Sequence, residues 1–241
     1  MIQLPFIEPG ATSFPATSNA LEDPNGLLAF GGDLSPQQLF AAYRKGIFPW
    51  FDDESPILWW SPSPRLVLKP SQLHVSKSMR KLLRQRPFTV TTDKAFEAVI
   101  TACAEPREDQ GTWITEEMIA AYCELHHHGI AHSIEVWEQD TLVGGLYGVA
   151  IGSVYFGESM FSLRSNASKY GFISLVEQLD RLNYQLIDCQ VHTNHLASLG
   201  AEEVSRPEFE SILKDAVNME NRWPTSEQVN QPLVNQKANG K

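Results

Sequence analysis

The sequence predicts an α+β fold, and three observations carry the prediction. Apolar residues recur at helical spacing in several segments before residue 130. From His132 the period drops to two, through Ser-Ile-Glu-Val-Trp-Glu and the two stretches that follow. A helix, a strand and a further helix then close the pattern.

The elements follow in order. The first ten residues, MIQLPFIEPG, are extended and proline-bearing. Ser35 is placed to cap a helix, with Pro36 at its first position, Gln38 completing a capping box and Gly46 as the stop. That helix turns Leu39, Ala42 and Tyr43 to a core. Pro49, Pro56, Pro62 and Pro64 punctuate the next stretch, which holds Trp50, Trp59 and Trp60, and a domain boundary is expected near Pro64. Lys77 to Arg86 reads as a short basic helix. Asp93 to Cys103 reads as another, with Phe96, Val99 and Ile100 on one face, and Thr115 caps a third that runs to Gly129. The meander is expected over Ser133 to Glu138, Thr141 to Val149 and Ile151 to Phe156, with a turn at Gln139 and Asp140. Ala167 to Leu182 forms a helix, Leu186 to Val191 a strand, and a last helix starts near Arg206 and Pro207. The polar, Gln/Asn-rich stretch from Pro224 is expected to be a loose tail. The expected units are residues 1–64, 65–223 and 224–241.

Composition narrows the function. With 241 residues and 42% hydrophobic content, the chain can bury one large core or two smaller ones. Its start lacks the basic and apolar regions of an export signal, and the charge-free run from Thr141 to Gly157 is shorter than a membrane span needs. Cys103, Cys123 and Cys189 fit no zinc or disulfide spacing and suit a reducing compartment, so the cytoplasm is the expected location. A net charge of −10 argues against a general nucleic-acid coat. The distribution says more: Arg65, Lys69, Lys77, Arg80, Lys81, Arg84 and Arg86 lie between Arg65 and Thr92 with no acidic residue among them. The strip is either a solvated helix face or a surface for a polyanion.

Candidate chemistry sits in two places. In the strand Leu186 to Val191, period-two geometry puts Asp188 beside Gln190. The pair is either a polar contact satisfied by a loop or a device for handling an amine nucleophile. Glu158, in Gly157-Glu158-Ser159-Met160, is a lone carboxylate at an expected strand-to-loop transition, suited to a shifted pKa, to holding a cation or to a plain turn contact. Ser159 lacks the G-x-S-x-G context of a nucleophile. His126, His127 and His128 point in three directions along a helix, so no metal is expected. Gly31-Gly32-Asp33 is no phosphate loop, and no cofactor is expected. Trp50, Trp59, Trp60 and Trp113 lie in Gly/Pro-bounded segments, where tryptophan is either core or a stacking platform for an unpaired base.

Several segments together resemble the bacterial leucyl/phenylalanyl-tRNA-protein transferases: Asn25 to Ser35, Gly46-Ile-Phe-Pro-Trp-Phe, Leu58-Trp-Trp-Ser-Pro, Gly111-Thr-Trp-Ile, His132-Ser-Ile-Glu-Val-Trp, Gly157-Glu-Ser-Met-Phe-Ser, Asn166-Ala-Ser-Lys, and Leu186-Ile-Asp-Cys-Gln-Val through Ala197-Ser-Leu-Gly-Ala. The resemblance spans about residues 20 to 210. It implies a small N-terminal α/β domain followed by an acetyltransferase-like (GNAT-like) domain. It also implies transfer of Leu or Phe, with Met a further candidate, from aminoacyl-tRNA to proteins that begin with Arg or Lys, marking them for degradation. By position, Asp188, Gln190 and Glu158 would be catalytic, and Trp50 and Trp113 would hold the 3′-terminal adenosine. Leu146, Tyr155, Met160, Phe172, Leu175 and Ile187 would form the aminoacyl pocket. Lys77, Arg80, Lys81 and Arg84 would contact the tRNA backbone. In that scheme Gln190 bonds to the attacking amine, Asp188 polarises Gln190, and Glu158 favours a cationic N-terminus. A monomer acting away from membranes is expected. Two rivals remain: an acetyl-CoA-dependent N-acetyltransferase, whose pyrophosphate loop is replaced here by Arg164-Ser-Asn-Ala-Ser-Lys, and a non-catalytic tRNA-binding module that would need neither Asp188 nor Gln190.

Overall fold

The structure, a computed structural model, describes residues 4–105 and 114–231. Strands β1 (Phe6–Ile7), β2 (Leu27–Gly31), β3 (Phe48–Pro49) and β4 (Leu58–Trp60) form a small sheet in the order β1-β2-β4-β3, with helix α1 (Pro36–Tyr43) between β2 and β3 in the chain. The remaining elements are β5 (Arg65–Leu68), α2 (Lys77–Gln85), β6 (Thr89–Thr92), α3 (Phe96–Ala104), α4 (Glu116–His127), β7 (Ala131–Glu138), β8 (Thr141–Ile151), β9 (Val154–Ser162), α5 (Ala167–Arg181), β10 (Leu186–Gln190), α6 (Asn194–Ala197), β11 (Glu202–Val204), α7 (Arg206–Ala216) and α8 (Ser226–Val229). Seven of these strands make a second sheet in the order β11-β5-β10-β9-β8-β7-β6. Its neighbours are antiparallel except β9 and β10, which run parallel.

Helix starts follow the sequence closely because their caps are local. Ser35, Ser76, Thr115 and Ser205 each accept a hydrogen bond from a backbone N–H in the first turn of α1, α2, α4 and α7. The expected capping box at α1 is only half formed. Gln38 is fully buried and donates instead to the carbonyls of Glu8 and Ala11, at 3.2 and 2.7 Å, while Asp33 accepts from Ser35 N. Gln38 thereby ties the start of α1 to the backbone of the N-terminal segment through two carbonyls.

The meander also departs from expectation. Ile151 ends β8, the turn falls at Gly152 and Ser153, and β9 runs on to Ser162. Gly152 has φ +61°, and a Cβ there would lie 2.2 Å from the Ala216 carbonyl, so only glycine lets the turn seat against the end of α7. At the far edge of the sheet, the first residues of the expected tail are ordered: Ser226 Oγ accepts from Thr92 N at 3.0 Å, Asn230 Oδ1 accepts from Val90 N at 3.4 Å, and Val229 is buried. Helix α8 thus covers the edge of β6. Residues 232–241 lie outside the described residues.

Helix α5 packs on β7 and β8 from one side, while α3 and α4 pack on the sheet with a core that includes Val149, Phe156 and Leu186. That second core is continuous with the small sheet, because Leu39, Tyr43, Ile47, Phe48 and Trp59 belong to it. Among the described residues no helix is long and apolar enough to cross a membrane.

Candidate active site

Strands β9 and β10 pair over three residues each, Val154 to Phe156 against Leu186 to Asp188, and then separate. Beyond that point β9 continues for six residues, whereas β10 ends within two. The sheet opens like a fork there, and a cavity of about 820 Å³ occupies the opening.

Two irregularities direct side chains into it. In β9 the pairing with β8 slips so that Tyr147 faces Ser159 and Gly148 faces Gly157, which leaves Glu158 as a bulged residue. Since a one-residue slip exchanges the faces of a strand, Met160 joins the α5 side of the sheet, while Glu158 bonds to Tyr122 on the opposite side. Glu158 is therefore mid-strand and not at a strand end. In β10 a second slip lies between Asp188 and Gln190, where Gln190 takes a left-handed conformation with φ +62°.

The Asp188 and Gln190 neighbourhood is real but differently wired than expected. Arg65 donates to Asp188 through Nε at 2.8 Å and an Nη at 2.7 Å, and both side chains are buried. Asp188 Oδ1 also accepts the Gln190 backbone N–H at 2.9 Å, so its carboxylate does not touch the Gln190 side chain. That amide donates instead to Glu158 Oε1 at 2.9 Å. Glu158 Oε2 accepts from the Tyr122 hydroxyl at 3.3 Å, and Tyr122 and Tyr43 are hydrogen-bonded in turn. One chain of polar contacts so runs from Arg65 through β10 and β9 to α4 and α1.

Electrostatics distinguish the two carboxylates. Asp188 is ion-paired in a two-point fork, the strongest geometry for such a pair, and removing one partner of a buried pair costs about 3–5 kcal/mol. Burial pushes the Glu158 carboxyl up to about 7; the charge of Asp188 adds to the rise, and hydrogen bonds from Tyr43, Tyr122 and Gln190 oppose it. A largely buried acid beside a paired one is the arrangement by which sites hold a proton near neutral pH.

Of the proposed aminoacyl pocket, Leu146, Tyr155, Met160, Phe172 and Ile187 line the cavity. Leu175 does not; it is fully buried in the core under α5. Glu158, Asp188 and Gln190 line the same cavity, so the structure brings the catalytic candidates and the apolar pocket together. Tyr147 also belongs to its lining, and the buried hydroxyls of Tyr147 and Tyr155 have no hydrogen-bond partner among the described residues. Trp50 is 45% exposed, packs against Trp60 at 5.4 Å and does not line the cavity. Trp113 lies outside the described residues.

The basic strip divides. Lys77, Arg80, Lys81 and Arg84 are exposed on α2, whose Met79 and Leu83 face the core. Arg65 is no part of that surface, being 1% exposed and bound to Asp188, and Lys69 meets Glu202 at 3.5 Å. The histidines serve the protein: His126 stacks on Phe96, and His132 bonds to Asp93 at 2.8 Å and stacks on Trp223. Among the described residues no three His, Cys, Asp or Glu side chains could hold a metal ion. Sequence reasoning missed Arg65, Tyr122 and His195 as site residues. Arg65 looked like one cation of a run, and Tyr122 and His195 gave no signal; burial lowers the His195 pKa, aided by Lys169.

A family profile described as leucyl/phenylalanyl-tRNA protein transferase matches residues 67–214, and one for the N-terminal domain of that family matches residues 32–63. A leucyl/phenylalanyl-tRNA--protein transferase of Azotobacter vinelandii is 59% identical over 87% of this chain and 93% of its own length. One of Teredinibacter turnerae is 56% identical over 90% of this chain and 85% of its own length. Among solved structures, L-PGS from Bacillus licheniformis aligns over 80% of this chain and 74% of its own with 7% identity and a TM-score of 0.42.

Proposed function

The chain belongs to the leucyl/phenylalanyl-tRNA-protein transferase family, and from that premise we propose that it moves leucine or phenylalanine from tRNA to the N-terminus of proteins that begin with Arg or Lys. One observation carries the reading: a single cavity is lined by the apolar side chains of Leu146, Tyr155, Met160, Phe172 and Ile187 and by Glu158, Asp188 and Gln190. The aminoacyl side chain occupies the apolar lobe, which sets its carbonyl carbon against the polar wall.

The donor is an activated ester, so no nucleotide is consumed and the main task is orientation. The acceptor's α-amine attacks the ester carbonyl, the new C–N bond forms, the bond to the ribose oxygen breaks, and that oxygen takes up a proton. Gln190 donates to Glu158 through Nε2, which leaves Oε1 to accept an N–H of the incoming amine. Glu158, with a pKa of about 7, accepts the proton the amine releases. Asp188, its charge matched by Arg65, acts through the backbone at Gln190, and the ionised form of Glu158 suits an acceptor led by a cation. The exposed cations of α2 run along acceptor-stem phosphates, and Trp50 with Trp113 holds the terminal adenosine. Residues 1–64 carry that Trp50 platform, and residues 65–223 carry the cavity.

The test offers the full chain labelled leucyl-tRNA or labelled acetyl-CoA, with an acceptor beginning with Arg and a matched one beginning with Glu. Label should reach the Arg-led acceptor from tRNA alone. Label arriving from acetyl-CoA, or equally on both acceptors, would overturn the reading.

A further inference from the structure

We infer that Arg65 is a positioning residue for the transfer: it holds Asp188 so that the chain turns left-handed at Gln190 and presents the Gln190 amide to Glu158. The inference rests on the reading that Gln190 and Glu158 act at the reacting centre.

Asp188 lies opposite Val67 on β5, and Arg65, two residues away on the same face, is its diagonal neighbour. The guanidinium packs on two aromatic rings, its carbon lying 4.9 Å from the ring centre of Phe48 and 4.8 Å from that of Phe209. Phe48 comes from β3 of the small sheet and Phe209 from α7, so three parts of the chain meet on this one side chain. A planar fork packed on two rings has little freedom, and it holds Asp188 in turn by two contacts.

Asp188 Oδ1 then accepts both Arg65 Nε and the backbone N–H of Gln190. A residue other than glycine keeps φ near +62° only when its neighbours determine it, and this hydrogen bond is the contact that does so here. Without it Gln190 relaxes, and its amide leaves the 2.9 Å contact with Glu158. Lysine cannot replace the fork, because one ammonium neither spans both oxygens in plane nor packs flat on two rings.

A purely structural ion pair would alter stability and leave turnover intact. The distinguishing experiment measures kcat and KM with leucyl-tRNA and an Arg-led peptide for the full chain and for R65K, Q190A and R65K/Q190A, alongside melting curves. R65K should lower kcat roughly 100-fold, the order expected of a displacement near 1 Å, and leave KM for leucyl-tRNA within about threefold. The double variant should be no slower than Q190A alone, since both changes remove one function. Wild-type kcat in R65K, with Q190A slow, overturns the inference and leaves the reading of Gln190 standing; so does a double variant slowed by the product of the single effects. Wild-type kcat in Q190A overturns the reading itself. Should R65K fail to fold, R65M/D188L removes the pair without leaving a buried charge, and normal turnover in that variant overturns the inference equally.

Discussion

Glu158 joins the site's chemistry to its stability. Its carboxyl is raised from 4.5 to about 7 by burial first, with the charge of Asp188 adding to that. The groups facing it are Tyr43, Tyr122, Tyr147, Tyr155, Asp188 and Gln190, and Glu105 and His195 share the cavity. The folded chain keeps this proton between about 4.5 and 7 while the unfolded chain loses it, so stability falls as pH rises through that window and levels off above it. Ionised Glu158 thus costs on the order of 3 kcal/mol at pH 8, a shift of two to three units at about 1.4 kcal/mol each. Glu158→Gln should unfold at higher denaturant than the wild type at pH 8 and at about the same denaturant at pH 4. Transfer should rise with pH through about 7 in the wild type, and the variant should lose that rise together with roughly 100-fold or more of kcat. A pH–rate profile unchanged by the substitution removes Glu158 from proton transfer. The sequence singled out Glu158 as a lone acid in an apolar setting. It could not show the tyrosines near it, because Tyr43 reads as an ordinary core position of its helix and Tyr122 carries no signal of its own.

At the scale of elements, the site is made by irregularity more than by strands and helices as such. The bulge at Glu158 sends Met160 toward α5 and leaves the acid on the other side, and the slip at Gln190 ends β10 so that the fork opens. Local patterns found the meander, α5 and β10 but could not locate the bulges, since whether a strand slips depends on what its neighbour pairs with. Short β1, β3 and β11 were likewise illegible, being two or three residues long with no period of their own. Helix α2 was legible to within a residue, because Ser76 caps it and its buried face holds Met79 and Leu83. Its function follows from the opposite face. Replacing Arg80, Lys81 and Arg84 with Gln should weaken tRNA binding and reduce the slope of log affinity against log salt by about 2. An unchanged slope in a filter-binding series would remove α2 from the tRNA contact.

Across the whole molecule, the two sheets share one core, which includes Leu39, Tyr43, Ile47, Phe48 and Trp59 from the N-terminal part and Val67, Phe156 and Leu186 from the second sheet. Without residues 1–64 the core side chains they cover are exposed at about 1.5–3 kcal/mol each, and a few such losses take up much of the 5–15 kcal/mol by which a domain is stable. A chain beginning at Arg65 should therefore show no cooperative melting transition and no transfer; a sharp calorimetric transition from that fragment would show the core to be divisible. Arg65 itself illustrates the limit of reading along the chain. In sequence it opens a run of cations, yet its partner lies 123 residues away and its stacking rings come from residues 48 and 209. What the sequence determined alone was what depends on neighbours within a turn or a strand: the capped helices, the alternating meander, the net charge with its basic strip, and the motifs that mark the family. What only the tertiary structure decided was which polar groups meet. The pairing of Arg65 with Asp188, of Gln190 with Glu158 and of Glu158 with Tyr122 is set by sheet register and by the shared core, and these are fixed only when segments far apart in the chain are packed together.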